Sequence, residues 1–344
     1  MDELKKASYI LKPGKAPGID GILNEMLLCL LNSNPLVILK LFNAALLSED
    51  PMECWNTSII NPIHKKGTKL DPENYRGISL LCCLGKFFSA ILNTRLMKFT
   101  LENKILSNEQ LGFVPGNRTS DSLLILYNLV NYYCAKNNKH IYACFVDFKK
   151  AFDSIPRYKL FEKLINHNIT GKFYECLKHM YSKEITCIKV GNKTTDTFQT
   201  NQGVKQGCIL SPLLFNIFLS DLPSTFHKEE YDLLHLNENE SISSLVWADD
   251  LLLFSESEGG LNKMLKRLHE YSLKNLIEVN IDKTKYMIFN KAGKLIRKNF
   301  WLGNKRIDTT REYKYLGLLI TPSFNLKASL SDLKDNENKI RSII

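Results

Sequence analysis

Residues 141–148 read Ile-Tyr-Ala-Cys-Phe-Val-Asp-Phe, an apolar run interrupted only by Asp147. Such a run reads as a strand buried on both faces. A carboxylate inside it is costly to desolvate unless something compensates its charge. A second pair of acids, Asp249 and Asp250, stands between the apolar runs 245–248 and 251–254. Taken alone, that pair reads either as a hairpin turn or as a functional pair. Aspartate suits turns, but two in a row repel one another and supply no glycine for a positive φ. If the two segments lie side by side, three carboxylates converge at one edge of a sheet. Magnesium takes such hard oxygen ligands and keeps room for water and substrate phosphates. Two such ions can clamp the attacking and leaving oxygens of an in-line displacement. The chemistry implied is phosphoryl or nucleotidyl transfer.

The rest of the chain is compatible with a scaffold for that chemistry. Its 344 residues, 44% of them apolar, suffice for one large or two modest domains with a real core. A net charge of +10 favours a polyanionic partner, although many basic proteins never meet one. The nine cysteines include no C-x-x-C pair, so a zinc ribbon is not indicated and they read as small hydrophobes in a reducing compartment. No apolar run approaches the ~20 residues of a membrane span, and the first ten residues do not read as a signal peptide. The expectation is an intracellular protein of cytoplasm and nucleus, with no membrane partner.

Helical periodicity is expected over 21–47 (broken near Asn34-Pro35), 85–102, 119–135, 157–182, 211–221 and 259–276. Strands are expected over 59–64, from 78, over 141–148, 185–190, 194–200, 245–248, 251–254, 278–281, 286–289 and 313–320. Residues 224–243 read as a polar loop. Helices and antiparallel strands mix without regular βαβ alternation, which argues an α+β fold.

At this point a resemblance becomes specific. Residues 145–153, Phe-Val-Asp-Phe-Lys-Lys-Ala-Phe-Asp, resemble the first catalytic motif of reverse transcriptases. Ala248-Asp249-Asp250 resembles their paired-aspartate motif, which normally follows Tyr or Phe; here Trp247 precedes it. Between them, residues 202–216 are similar to the family's Gly-x-x-Gln-Gly loop and Ser-Pro helix. Residues 61–67 with 74–80 resemble the fingers motif, and 15–21 an upstream extension common in non-long-terminal-repeat elements. Residues 110–118 match a further signature, and 280–285 and 315–317 resemble the last two palm motifs. The ordered set covers about 12–320, and the chain resembles a LINE-type, jockey-like retrotransposon enzyme.

The resemblance implies a right-hand polymerase whose antiparallel palm sheet packs on helices. Residues 1–42 would form an N-terminal fingers extension and 43–320 the reverse transcriptase domain. Residues 321–344 would only begin a thumb, and an endonuclease would lie elsewhere in a longer protein. Within the domain, fingers would come from about 1–140 and 155–200. The implied activity is RNA-directed DNA synthesis from a DNA 3′-hydroxyl. Its partners would be an RNA template, a DNA primer or target and deoxynucleoside triphosphates, and its cofactors two Mg2+ ions, with Mn2+ as a substitute. The alternatives are an inactive relic that only binds nucleic acid and a group II intron maturase-like protein. A viral RNA polymerase fits less well, because a small side chain in place of Phe152 would suit ribonucleotides better.

Roles carry over residue by residue. Asp147, Asp249 and Asp250 would hold the two metals, Asp250 more as a helper than as a direct ligand. Phe152 would reject a 2′-hydroxyl by steric exclusion. Lys65 (or Lys66 in its stead) and Arg76 would grip the triphosphate, the first as a point charge and the second as a bidentate donor. Phe148, Gln206 and Gly207 would line the nucleotide pocket. Lys283 or Lys285 would protonate pyrophosphate. Tyr315, Leu316 and Gly317 would form the primer grip, and Trp247 would touch the primer end. Against each stands an ordinary alternative: a turn acid, a core aromatic, a solvated lysine, a helix-entry loop or a core hairpin.

Overall fold

A computed structural model describes residues 1–48, 53–65, 67–182, 184–228 and 231–324. The expected start of a thumb at 325–344, and Lys66, lie outside the described residues. The chain divides into two compact units, 1–105 with 152–218, and 106–151 with 219–344. Residues 106–140 therefore group with the unit that carries the three aspartates.

In the first unit, Thr57–His64 pairs antiparallel with Tyr75–Leu81 and parallel with Ile185–Val190. Lys193–Thr194 and Phe198–Gln199 both fold back onto Ile185–Val190. Cys83–Glu102 is the central helix, and its Phe87, Phe88, Ala90, Leu92 and Leu96 are buried. Phe42 of Pro35–Leu47 and Trp55 complete an aromatic cluster with Phe87 and Phe88. The expected break at Asn34-Pro35 is present, because proline at the first helical position starts a new helix. Among the described residues no single helix is long and apolar enough to cross a membrane; Asn24–Ser33 and Pro35–Leu47 meet that test only as a pair bent by 110°.

The second unit holds a six-stranded sheet in the order Phe300–Leu302, Lys305–Thr309, Lys285–Phe289, Ile141–Val146, Asp250–Ser255, Ser244–Trp247. Ile141–Val146 is an interior strand, which explains its unbroken apolar sequence. Alternation sends Ile141, Ala143 and Phe145 to one face, where Leu252, Phe254, Met287 and Phe289 join helix Thr119–Val130 through Leu126, Leu129 and Val130. The other face receives helix Glu258–Asn275, which packs on Ile141–Val146, Asp250–Ser255 and Phe300–Leu302 through buried Leu261, Met264, Leu265 and Leu268.

Several expected elements differ. Residues 157–182 form two helices, Arg157–Asn166 and Gly171–Ser182, because Asn168 and Gly171 take positive φ and stop the first. Residues 278–281 are not a strand; only Val279 bridges to Phe148. Residues 313–320 are a hairpin, Tyr313–Tyr315 with Leu318–Ile320. Its turn is Leu316-Gly317, both at positive φ, as a tight hairpin demands. The helix begun at Ser211 ends at Phe218. The loop 224–243 contains a small hairpin, Leu234–His235 with Ser241–Ile242.

Candidate active site

Asp147 follows the last residue of Ile141–Val146, and Asp250 opens Asp250–Ser255. These strands pair antiparallel with Val146 against Leu251. One step further, the register sets Asp147 opposite Asp250. By alternation both carboxylates share the face of Phe145 and Leu252. Asp250 in turn pairs with Trp247, so Ala248 and Asp249 form the turn between the strands. The acid pair is thus both a hairpin turn and part of an acidic cluster, and Ala248 takes the left-handed φ of +56° that glycine would normally supply.

Asp147 is pinned from the segment after helix Glu258–Asn275. Its N–H donates to Thr284 Oγ1 at 3.2 Å and its carbonyl accepts from the Asn280 N–H at 2.7 Å. Its Oδ2 is buried without a hydrogen bond, and Lys283 Nζ stands 3.5 Å from it. Burial, Asp249 and Asp147 together push the Asp250 carboxyl up to about 6. A buried carboxylate oxygen with no hydrogen bond, facing an ammonium at 3.5 Å and set beside an acid that resists ionisation, favours further positive charge. Among the described residues no group of three or more His, Cys, Asp or Glu is placed so that it could hold a metal ion by itself. The orphaned Asp147 oxygen and the acids beside it are nonetheless the hard oxygen donors that Mg2+ or Mn2+ takes.

Lys283 lies beside Asp147, whereas Lys285 is engaged with Asp308 at 3.1 Å. Trp247 is partly buried against the core of the second unit. Phe148 is 6% exposed and its backbone bridges Val279, so its ring belongs to the core. Tyr315 is buried likewise. It is 2% exposed, and alternation along the short strand turns it inward beside Phe145. Only Leu316 and exposed Gly317 stand at the turn. Tyr313, which the sequence did not single out, stacks on Phe145 with centroids 4.2 Å apart. Burial, then Asp250 and Asp147, raise its phenol. The alternation Tyr-Lys-Tyr was the available signal, but it does not tell which ring meets the acids.

Lys65, Arg76, Phe152, Gln206 and Gly207 belong to the first unit. Lys65 and Arg76 are exposed at the end of the hairpin formed by Thr57–His64 and Tyr75–Leu81, and the Lys65 N–H donates to the Asn74 carbonyl. Gln206 donates to both oxygens of Asp153, at 2.6 and 2.8 Å, and its carbonyl accepts from Ser79 N–H at 3.0 Å. Val204 N–H donates to the Phe152 carbonyl, so the residue after Gly203 is laced to the strip around Phe152. Gly207 has φ +102°, and a Cβ there would come within 3.1 Å of the Ser79 carbonyl. Half-buried Phe152 stacks on Phe215, with centroids 4.6 Å apart and planes 17° apart.

Comparison with known proteins gives a consistent result. The family described as reverse transcriptase (RNA-dependent DNA polymerase) matches residues 63–320. The chain is 28% identical to the probable RNA-directed DNA polymerase from transposon BS of Drosophila melanogaster, over 93% of this chain and 35% of that protein. It is 26% identical to the RNA-directed DNA polymerase from mobile element jockey of Drosophila funebris, over 97% and 36%. It thus spans about a third of these curated relatives. Among solved structures, the fold is similar to apo telomerase from Candida tropicalis truncated from its C-terminal domain. That likeness has a TM-score of 0.53 and 15% identity, and covers 79% of this chain and 54% of that one.

Proposed function

The chain belongs to the reverse transcriptase (RNA-dependent DNA polymerase) family, of the non-long-terminal-repeat retrotransposon type, and on that footing we propose that it extends a DNA 3′-hydroxyl on an RNA template. The observation that carries this reading is the buried, unbonded Oδ2 of Asp147, in register with Asp250 and beside the Asp249 turn. Asp147 and Asp249 would hold two divalent cations, Mg2+ or Mn2+, with Asp250 assisting. When bound, the cations supply charge neutralisation at the attacking 3′ oxygen and the departing pyrophosphate.

The remaining work falls to the chain's own residues. Arg76 and Lys65 bind the triphosphate, Arg76 through paired N–H donors. Gln206 and Gly207 bound the nucleotide pocket, and Phe152 excludes a 2′-hydroxyl. Lys283, already beside Asp147, is the proton donor for the leaving pyrophosphate. Trp247 and the Leu316-Gly317 turn position the primer end. The partners are therefore an RNA template, a DNA primer and deoxynucleoside triphosphates. Such an enzyme would be made in the cytoplasm and work in the nucleus, where a DNA 3′ end is available.

The test is primer extension by the chain on matched RNA and DNA templates. Asp147→Asn is expected to lower incorporation by at least about a hundredfold, while the fold and duplex binding persist. Extension at the wild-type rate by folded Asp147→Asn would refute the assignment.

A further inference from the structure

Residues 110–118 match a signature but carry none of the roles above, yet the start of this stretch is built onto the aspartate hairpin. Glu109 and Gln110 are polar and buried, at 7% and 5% exposure. The Glu109 carbonyl accepts from Val246 N–H, and Leu111 N–H donates to the Val246 carbonyl, both at 2.9 Å. The segment therefore lies along the outer edge of Ser244–Trp247, with Gln110 bridging Val246 in parallel. The Glu109 carboxylate accepts from the N–H and hydroxyl groups of Ser243 and Ser244 at 2.7–3.2 Å, and His227 Nε2 lies 3.1 Å from it.

The next two contacts reach the turn itself. Gln110 Oε1 accepts from Ala248 N–H at 3.2 Å and from Gly112 N–H at 3.0 Å. Gly112 lies so close that a Cβ there would stand 2.4 Å from Ala248 N and 2.8 Å from Trp247 C. Ala248 is the residue at φ +56°. A side-chain-bearing residue keeps that conformation only where its surroundings hold it. Asp249 and Asp250 follow directly, so any relaxation of Ala248 moves them relative to Asp147.

We propose that Gln110 and Gly112 are positioning residues of the active site: the Gln110 side-chain carbonyl and the bare α-carbon of Gly112 hold Ala248 in its left-handed turn and thereby set where Asp249 and Asp250 stand. A clamp made only for sheet stability would end at Glu109 and the two serines. This one continues to the peptide that precedes Asp249. The kinetic consequence rests on the nucleotidyl-transfer reading, whereas the geometric one does not.

Three variants of the chain test this. Gln110→Met keeps length and removes the acceptor, Gln110→Glu keeps an acceptor oxygen for both N–H groups, and Gly112→Ala drives a Cβ into the turn. Hydrogen exchange at the Ala248 amide, Mn2+ binding by electron paramagnetic resonance, and single-nucleotide kinetics are measured on each. In Gln110→Met and Gly112→Ala, Ala248 exchange is expected to quicken. Mn2+ affinity and kcat should each fall about 10- to 100-fold, as is typical when support behind a metal site is lost. The nucleotide KM and duplex affinity should stay within about twofold of wild type. Gln110→Glu is expected to restore most of each loss. Folded Gln110→Met with wild-type Ala248 exchange overturns the proposal. So does a uniform loss of kcat, KM and duplex affinity that tracks lowered stability and that Gln110→Glu does not repair. If the wild-type chain extends no primer, the functional reading fails while amide exchange and Mn2+ binding still decide this one.

Discussion

Phe152 is held from behind by Phe215, ring on ring at 4.6 Å, so it cannot swing aside without leaving its partner. Phe152→Val should raise kcat/KM for ribonucleotides relative to deoxynucleotides by about tenfold or more, within what a pocket gains from a few removed carbons. An unchanged ratio would leave the ring a packing role alone. Asp250 carries a pH dependence of definite sign. Its carboxyl is raised from 3.8 to about 6, so the folded chain holds this proton more tightly than the unfolded chain does. The stability it contributes is present at low pH and is lost as pH rises from 3.8 to about 6. Without metal, Asp250→Asn should therefore lose less stability than wild type across that window, measured as the difference between their denaturation midpoints. Mg2+ should stabilise wild type more at a pH well above 6 than below it, because it binds the ionised form. Equal Mg2+ effects on either side would remove the cation from this site.

At the scale of elements, the loop before helix Ser211–Phe218 owes its shape to a buried arginine. Arg157 is 8% exposed and pairs with Glu184. It also donates to the carbonyls of Tyr181, Thr200 and Gly203 at 2.5, 2.6 and 3.0 Å. Lys205, 6% exposed with its Nζ 5.6 Å from the Tyr181 ring, adds a cation whose pKa burial lowers. The loop ending in Gln206 and Gly207 is thus tied through its backbone carbonyls. Arg157→Ala strands the Glu184 carboxylate and should cost about 3–5 kcal/mol in chemical denaturation. Replacing both partners by apolar residues should cost less than that single change. If the single variant is the more stable of the two, the network does not act as a unit. This element was only half legible in the sequence. The Gly-x-x-Gln-Gly spacing marks the loop, but Arg157 reads as an ordinary helix-start residue until its acceptors are in place.

At the scale of the molecule, the net charge of +10 becomes informative once the chain has a nucleic-acid chemistry to serve. Affinity for an RNA–DNA duplex should fall at least about tenfold between roughly 50 and 200 mM monovalent salt, through counterion release. A salt-independent affinity would mean that phosphate contacts are not what holds the duplex. By itself, the sequence determined that the runs beginning at Ile141 and near Leu251 are buried strands and that acids stand at their ends, because apolar runs, alternation and a charge out of place are local facts. It put Asp147 inside a strand 141–148 and both Asp249 and Asp250 between two strands, whereas the first strand ends at Val146 and Asp250 opens the next. Only the tertiary structure decided that Asp147 stands in register with Asp250, that Thr284 and Asn280 pin it, and that Lys283 rather than Lys285 attends it. It also turned Tyr315 into the core and set Gln110 against the aspartate turn. The reason is physical: burial pattern follows from neighbours along the chain, whereas strand register and the partner of each buried polar atom depend on residues brought together from distant parts of it.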